Sequence, residues 1–261
     1  MRTRKQENRS PLKDKPLRLP GQSLQEERDA LWDDKLGPYF LMALFFVVLA
    51  GLEWCRDLMN LPPMPGLYTI AASMFLSLAA WRIFRALPKL RALRQGIAGE
   101  QAVGQFLERL HADGYRVFHD VVGPTFNVDH VLVGPAGIFT IETKTWSKPM
   151  RGDARVTADA DGLLIAGQRP DRDPIVQARA QAGWIAQQIK ESTGRTFTVR
   201  PVIVFPGWFI DPSAQGLPKL WVLEPKALPT FLRNEPRKME SSDVALASYH
   251  LSRMIRAGTR S

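Results

Sequence analysis

"FNVDHVLVGPAGIFTIETKTW", residues 126–146, reads as two alternating strands turned at "GPAG", yet it carries Asp129, Glu142 and Lys144 where a half-buried sheet keeps apolar side chains. Strand side chains alternate with period two, so Glu142 and Lys144 share a face with Ile138 and Thr140. Antiparallel pairing through the turn puts Asp129 on the neighbouring strand, near enough to join that face. Two carboxylates beside an ammonium make a compact site for a hard divalent cation. Mg²⁺ takes one or two carboxylates, a backbone carbonyl and several waters, so the expected ligands are Asp129, Glu142 and the Thr143 carbonyl, with Mg²⁺ or Mn²⁺ as cofactor. A cation held this way lowers the pKa of a bound water and stabilises charge building on a phosphodiester oxygen, with Lys144 placed to position that water. A Glu-x-Lys on one strand is also the pattern of a solvated surface pair. Here Val131, Leu132, Val133, Ile138, Phe139 and Ile141 mark both strands as internal.

Outward from this hairpin the chain alternates helix and strand. Upstream, "GIAGEQAVGQFLERL" (96–110) sets Ala102, Val103, Phe106, Leu107 and Leu110 on one helical stripe, with Glu100 in its first turn and Gly114 as a stop. "YRVFHDVV" (115–122) is a strand whose end, His119 and Asp120, is expected to be solvated. His130 points away from Asp129 and reads as a core residue. Downstream, "TADADGLLIAG" suggests a small hairpin at Asp161–Gly162. "DPIVQARAQAGWIAQQIKES" (173–192) is a helix begun by Asp173 and Pro174, with the Gln177 amide in its first turn. "FTVRPVIVFPG" (197–207) is apolar enough for a central strand and "KLWVLEP" (219–225) is a short final one. Helical stretches follow around Lys226–Arg233 and Ser241–Arg256. The order describes an α/β fold, a mixed sheet flanked by helices.

The N-terminal third is different. Residues 1–37 are basic, Pro-containing and polar, and are expected to be mostly disordered, with a short helix around Leu24–Leu36. "PYFLMALFFVVLAGLEWC" (38–55) and "GLYTIAASMFLSLAAWRIF" (66–84) are apolar on every face, hold small residues such as Gly51, Ala71 and Ala72, and carry flanking Tyr39, Trp54, Tyr68 and Trp81. The first run has about 17 apolar residues, the short end of what spans a bilayer. Joined by "RDLMNLPPMP", the two are expected to form a transmembrane hairpin, here bounded as 38–84, the alternative being a buried helical hairpin of a soluble domain. A cleaved signal peptide does not fit so long a polar leader. Lys and Arg crowd both outer flanks while the turn holds only Arg56, which places both termini in the cytoplasm of a bacterial inner membrane. The remaining divisions expected are a basic juxtamembrane linker at 85–95, the main domain at 96–210 and a C-terminal extension at 211–261.

Composition limits the classes. The chain has 261 residues, 45% hydrophobic and 23% charged, enough for a folded domain and more. One cysteine, Cys55, excludes an intramolecular disulfide, and the four histidines form no Cys/His pattern for structural zinc. A net charge of +9 suits a polyanion or an anionic lipid surface without choosing between them. "GPAG" lacks a following Gly-Lys-Ser/Thr and is no phosphate loop.

Taken together, "GIAGEQAVGQFLERL", "FNVDHVLVGPAGIFTIETKTW" and "DPIVQARAQ" resemble the nuclease-related domain (NERD), a branch of the PD-(D/E)xK nuclease-like superfamily, over Gly96 to Gly207. The resemblance implies a restriction-endonuclease-like mixed sheet, with Asp129, Glu142 and Lys144 as the catalytic core and Glu100 and Gln177 as auxiliary catalytic residues. It also implies Mg²⁺-dependent hydrolysis of phosphodiester bonds in nucleic acid, DNA ahead of RNA. The superfamily's Pro before the Asp is replaced by Val128. Trp146, Trp184 and Trp208 are candidates for stacking on bases, Trp184 fitting a core position better. The alternative is a membrane-tethered module that binds nucleic acid or protein without catalysis. A complete Asp, Glu-x-Lys set favours the enzyme, since a pure binder has no evident use for like charges clustered on one strand face.

Overall fold

The computed structural model describes residues 17–61, 64–149 and 153–258. They form two compact units: Gln22–Ala98, and a second made of the segment up to Gly21 together with Gly99 onward. Residues 1–16 of the expected N-terminal segment and Pro62 and Pro63 of the turn lie outside the described residues.

In the first unit, helix α1 (Gln22–Ala30) passes through a π-helical turn (Leu31–Leu36) into α2 (Gly37–Leu58), and α3 (Pro65–Glu108) follows. Two stretches, Gln22–Leu58 and Pro65–Asp113, are long and apolar enough to cross a membrane by length and composition. Phe40, Leu41, Phe45, Val48, Ile70, Met74 and Phe84 are exposed along them. Inside the unit Phe46 stacks on Phe75 at 4.5 Å, Trp54 Nε1 donates to Thr69 Oγ1 at 3.3 Å, and the Arg82 guanidinium lies 4.5 Å over the Tyr39 ring. Glu53 accepts the Met64 N–H at 3.1 Å and pairs with Arg56, so it caps the start of α3.

The helix expected around Leu24–Leu36 is present over residues 22–36, and two other expectations need correction. Leu17–Gly21, expected to be disordered, pack into the second unit, where Arg18 finds a buried partner. The stretch 85–95 is no separate linker but the middle of α3. Its Arg, Ala, Leu and Lys are strong helix formers, and they carry the helix through Pro88, which removes only one internal hydrogen bond.

The second unit is built on a five-stranded sheet of order β1-β2-β3-β6-β8. β1 (Arg116–Val122), β2 (Asn127–Gly134) and β3 (Gly137–Thr143) pair antiparallel, while β6 (Val199–Val204) and β8 (Trp221–Leu223) add in parallel to β3. Apolar side chains cover both faces. Leu132, Phe139, Ile141 and Val202 meet Val103, Leu107 and Leu110 at the end of α3, with Leu228 and Leu232 of α6 (Leu228–Asn234). Val131, Val133 and Ile138 meet Ile185 and Ile189 of α4 (Pro174–Thr193) and Ala247, Leu251 and Ile255 of α7 (Ser241–Gly258). The stretch expected as a C-terminal extension is therefore part of this fold, supplying a strand and two covering helices. A smaller three-stranded sheet joins β4 (Arg155–Asp159), β5 (Gly162–Ile165) and β7 (Phe209–Ile210). Its Val156, Leu163 and Ile210 bury against Ile175 and Ala178 of α4. Asp173 starts α4 as read from the sequence, its carboxylate accepting the Ile175 N–H at 2.8 Å ahead of Pro174.

Candidate active site

The site lies where β2 and β3 part. Their ladder runs from Gly134↔Gly137 to His130↔Ile141 and stops, so Asp129 and Glu142, the next residues, stand beside an open seam. Backbone groups freed at such a seam need partners, and side chains of the site provide them. Asp129 Oδ2 accepts the Thr143 N–H at 2.7 Å, and the Gln181 amide donates to the Asn127 carbonyl at 2.8 Å.

Glu142 is the hub. Buried to 4% exposure, its Oε1 accepts Lys144 Nζ and Gln177 Nε2, both at 2.7 Å, and its Oε2 accepts Gln181 Nε2 at 2.6 Å. Lys144 Nζ also donates to Gln177 Oε1 at 3.0 Å, which closes a triangle of Glu142, Lys144 and Gln177. Glu100 enters from the end of α3 and is buried. The approach depends on the glycine before it: a Cβ on Gly99 would stand 1.7 Å from Thr145 Cγ2.

Like charges crowd here. Burial, with Asp120 and Glu142 nearby, pushes the Glu100 carboxyl up to about 7. Burial, Glu142 and Glu100 likewise push Asp129 well above the usual carboxylate range, against the Thr143 N–H and the Lys144 charge. Among the described residues no three His, Cys, Asp or Glu side chains form a group that could hold a metal ion. Asp129, Glu142 and the Thr143 carbonyl between Glu142 and Lys144 are instead an open, all-oxygen set. That sparse set fits Mg²⁺ or Mn²⁺ and not a closed zinc cage.

All the residues singled out in the sequence, Asp129, Glu142, Lys144, Gln177 and Glu100, thus meet in one region, although Glu100 reaches the others through its charge rather than by a hydrogen bond to them. Gln181 was missed. Its signal was the Gln177–Gln181 spacing of four, which stacks both amides on one helix face.

Asp120 corrects another expectation. It is 2% exposed, turns the backbone at φ 49°, and pairs with Arg18, itself 9% exposed. The β1–β2 register passes from His119↔His130 to Val121↔Val128, so Asp120 and Asp129 are the interrupted pair between them. Arg18 arrives on a short strap, Leu17–Gly21, whose Pro20 packs against Gly104 and whose Gly21 backbone hydrogen-bonds the Glu100 carboxylate. His119 is also largely buried: one ring nitrogen lies 2.8 Å from Glu108, the other 2.9 Å from His130. His130 is fully buried, as a core residue should be. Trp208 is 3% exposed and unavailable for stacking, Trp184 packs on Phe126, and Trp146 remains half-exposed two residues past Lys144.

The fold is a mixed sheet between helices, parted at one edge of β3 around Asp129, Glu142, Lys144 and Gln177. Residues 95–206 match the family model of the nuclease-related domain, NERD. An uncharacterized protein of Bacillus anthracis is 30% identical over 75 residues, which cover 27% of this chain and 35% of that relative. The chain thus spans about a third of the length of the curated relative it matches. No solved structure matches it.

Proposed function

We propose that this is a membrane-anchored, metal-dependent nuclease that hydrolyses phosphodiester bonds in nucleic acid, DNA ahead of RNA. The observation that carries the reading is the pairing of Asp129 and Glu142 at the seam with Lys144 held beside them. Asp129, Glu142 and the Thr143 carbonyl would hold Mg²⁺ or Mn²⁺, which supplies a more acidic bound water and offsets charge on the phosphate. Lys144 Nζ, fixed by Glu142 and Gln177, directs a positive charge at the scissile phosphate and orients the attacking water. Glu100, with its carboxyl near 7, is poised to take up or return a proton at neutral pH. The two apolar stretches support anchoring in a bacterial inner membrane, and the net charge of +9 suits a polyanionic substrate.

One observation favours a second reading, a tethered module that binds nucleic acid or protein without cutting. Three donors already satisfy Glu142 with no cation, and a binder could keep that arrangement. The full-length chain in detergent micelles, incubated with single- and double-stranded DNA and RNA plus Mg²⁺ or Mn²⁺, separates the two. Cleavage that EDTA abolishes and that Lys144→Ala lowers about a hundredfold or more supports the nuclease. Binding without any cleavage, equal in Lys144→Ala, leaves the module.

A further inference from the structure

We propose that Gln181 is the positioning residue that decides which oxygen of Glu142 is left for a divalent cation; this rests on reading Asp129 and Glu142 as cation ligands.

Gln181 lies one helical turn beyond Gln177 on α4 and is 1% exposed. Its NH₂ faces two acceptors, Glu142 Oε2 at 2.6 Å and the Asn127 carbonyl at 2.8 Å. Turning the amide over would set its carbonyl against a carboxylate and another carbonyl, so the orientation is forced. The consequence is an orphan: Gln181 Oε1 is buried without a hydrogen-bond partner in the structure. Leaving a buried acceptor unmade costs about 1–3 kcal/mol. A leucine or methionine would fill the same space without that cost, so packing alone does not account for glutamine here.

What the amide supplies is direction without charge. An ionised carboxylate has about four acceptor positions. Lys144 and Gln177 occupy Oε1, and Gln181 takes one position on Oε2. The position left unspent is on Oε2. An arginine at 181 would hold Glu142 equally firmly but would cancel the negative charge that attracts a cation, whereas the amide leaves it. Gln181 also ties Glu142 to the Asn127 carbonyl, and so to the strand that carries Asp129, keeping both sides of the seam in register.

The test uses the full-length chain in detergent micelles, with Mn²⁺ alone as the probe. Gln181→Met and Gln181→Leu bracket the volume of glutamine, and melting curves identify which remains folded. Outer-shell partners of ligating carboxylates typically contribute 10–100-fold to metal affinity. The folded variant should therefore bind Mn²⁺ about 10–100-fold more weakly than the parent, a change that a packing role alone would not produce. A parent that binds Mn²⁺ and a folded variant that binds it within threefold would overturn the assignment of Gln181 and leave the cation reading standing. A parent that takes up no Mn²⁺ overturns the cation reading and, with it, this inference.

Discussion

Glu100 and His130 tilt stability with pH in opposite directions. Glu100 titrates near 7 in the fold and near 4.5 in an unfolded chain, so between these values the native state holds a proton that the unfolded state has released. Stability therefore falls as pH rises through that window, by up to about 3 kcal/mol. His130 is held well below its usual value of 6.5 by burial and by His119, so the unfolded chain takes up a proton the fold rejects, and stability is lost as pH drops below about 6.5. Between about pH 4.5 and 6.5 the two slopes oppose each other, so urea midpoints in EDTA are to be compared between the parent and a variant that removes one of them. Glu100→Gln should raise the midpoint at pH 8 and leave it unchanged at pH 4, and a variant that gains nothing at pH 8 would contradict the charge crowding. Asp129 and Glu142 were legible because strand period fixes which side chains share a face, whereas Glu100, expected in the first turn of a helix, lies near the C-terminal end of α3. Asp120 was not legible: it was expected in water, and its burial depends on a partner 102 residues away.

The strap, Leu17–Gly21, brings a buried ion pair, Arg18–Asp120, to the second unit. Removing one partner of such a pair strands the other charge, at a cost of about 3–5 kcal/mol, whereas removing both charges can be nearly neutral. Arg18→Ala should accordingly lower the melting temperature of the full-length chain sharply, and Asp120→Asn in the same chain should restore most of the loss. Additive losses in the double variant would show that Arg18 and Asp120 stabilise the fold separately. A fragment begun near residue 94 lacks the strap and with it the Arg18–Asp120 ion pair, so it is expected to melt well below the intact protein. The other elements follow from local chemistry. The Asp173–Pro174 start of α4, the β4–β5 hairpin with Asp159 opposite Gly162, and the inner position of β6 all match their sequence patterns.

For the molecule as a whole, the charge pattern around the apolar stretches sets a test of topology. Lys and Arg crowd the outer flanks of the apolar stretches, whereas exposed Cys55 lies close to the turn between them. A hairpin with both ends inside places Cys55 at the outer face, and a membrane-impermeant thiol reagent should label it in intact cells. Labelling that requires lysis, together with a C-terminal reporter found outside, would reverse the topology. The apolar runs, the alternating strands, the Glu-x-Lys and the helix start at Asp173 could all be read directly, because each depends on residues within a few positions of one another. Three features could not: the stop in the β2–β3 ladder, the grip of Gln181 on Glu142 across 39 residues, and the Arg18–Asp120 pair. Each rests on which backbone groups go unpaired and which charges are desolvated. Those are set only when distant segments pack, since an amide or a carboxylate in water has no reason to prefer one partner over the solvent.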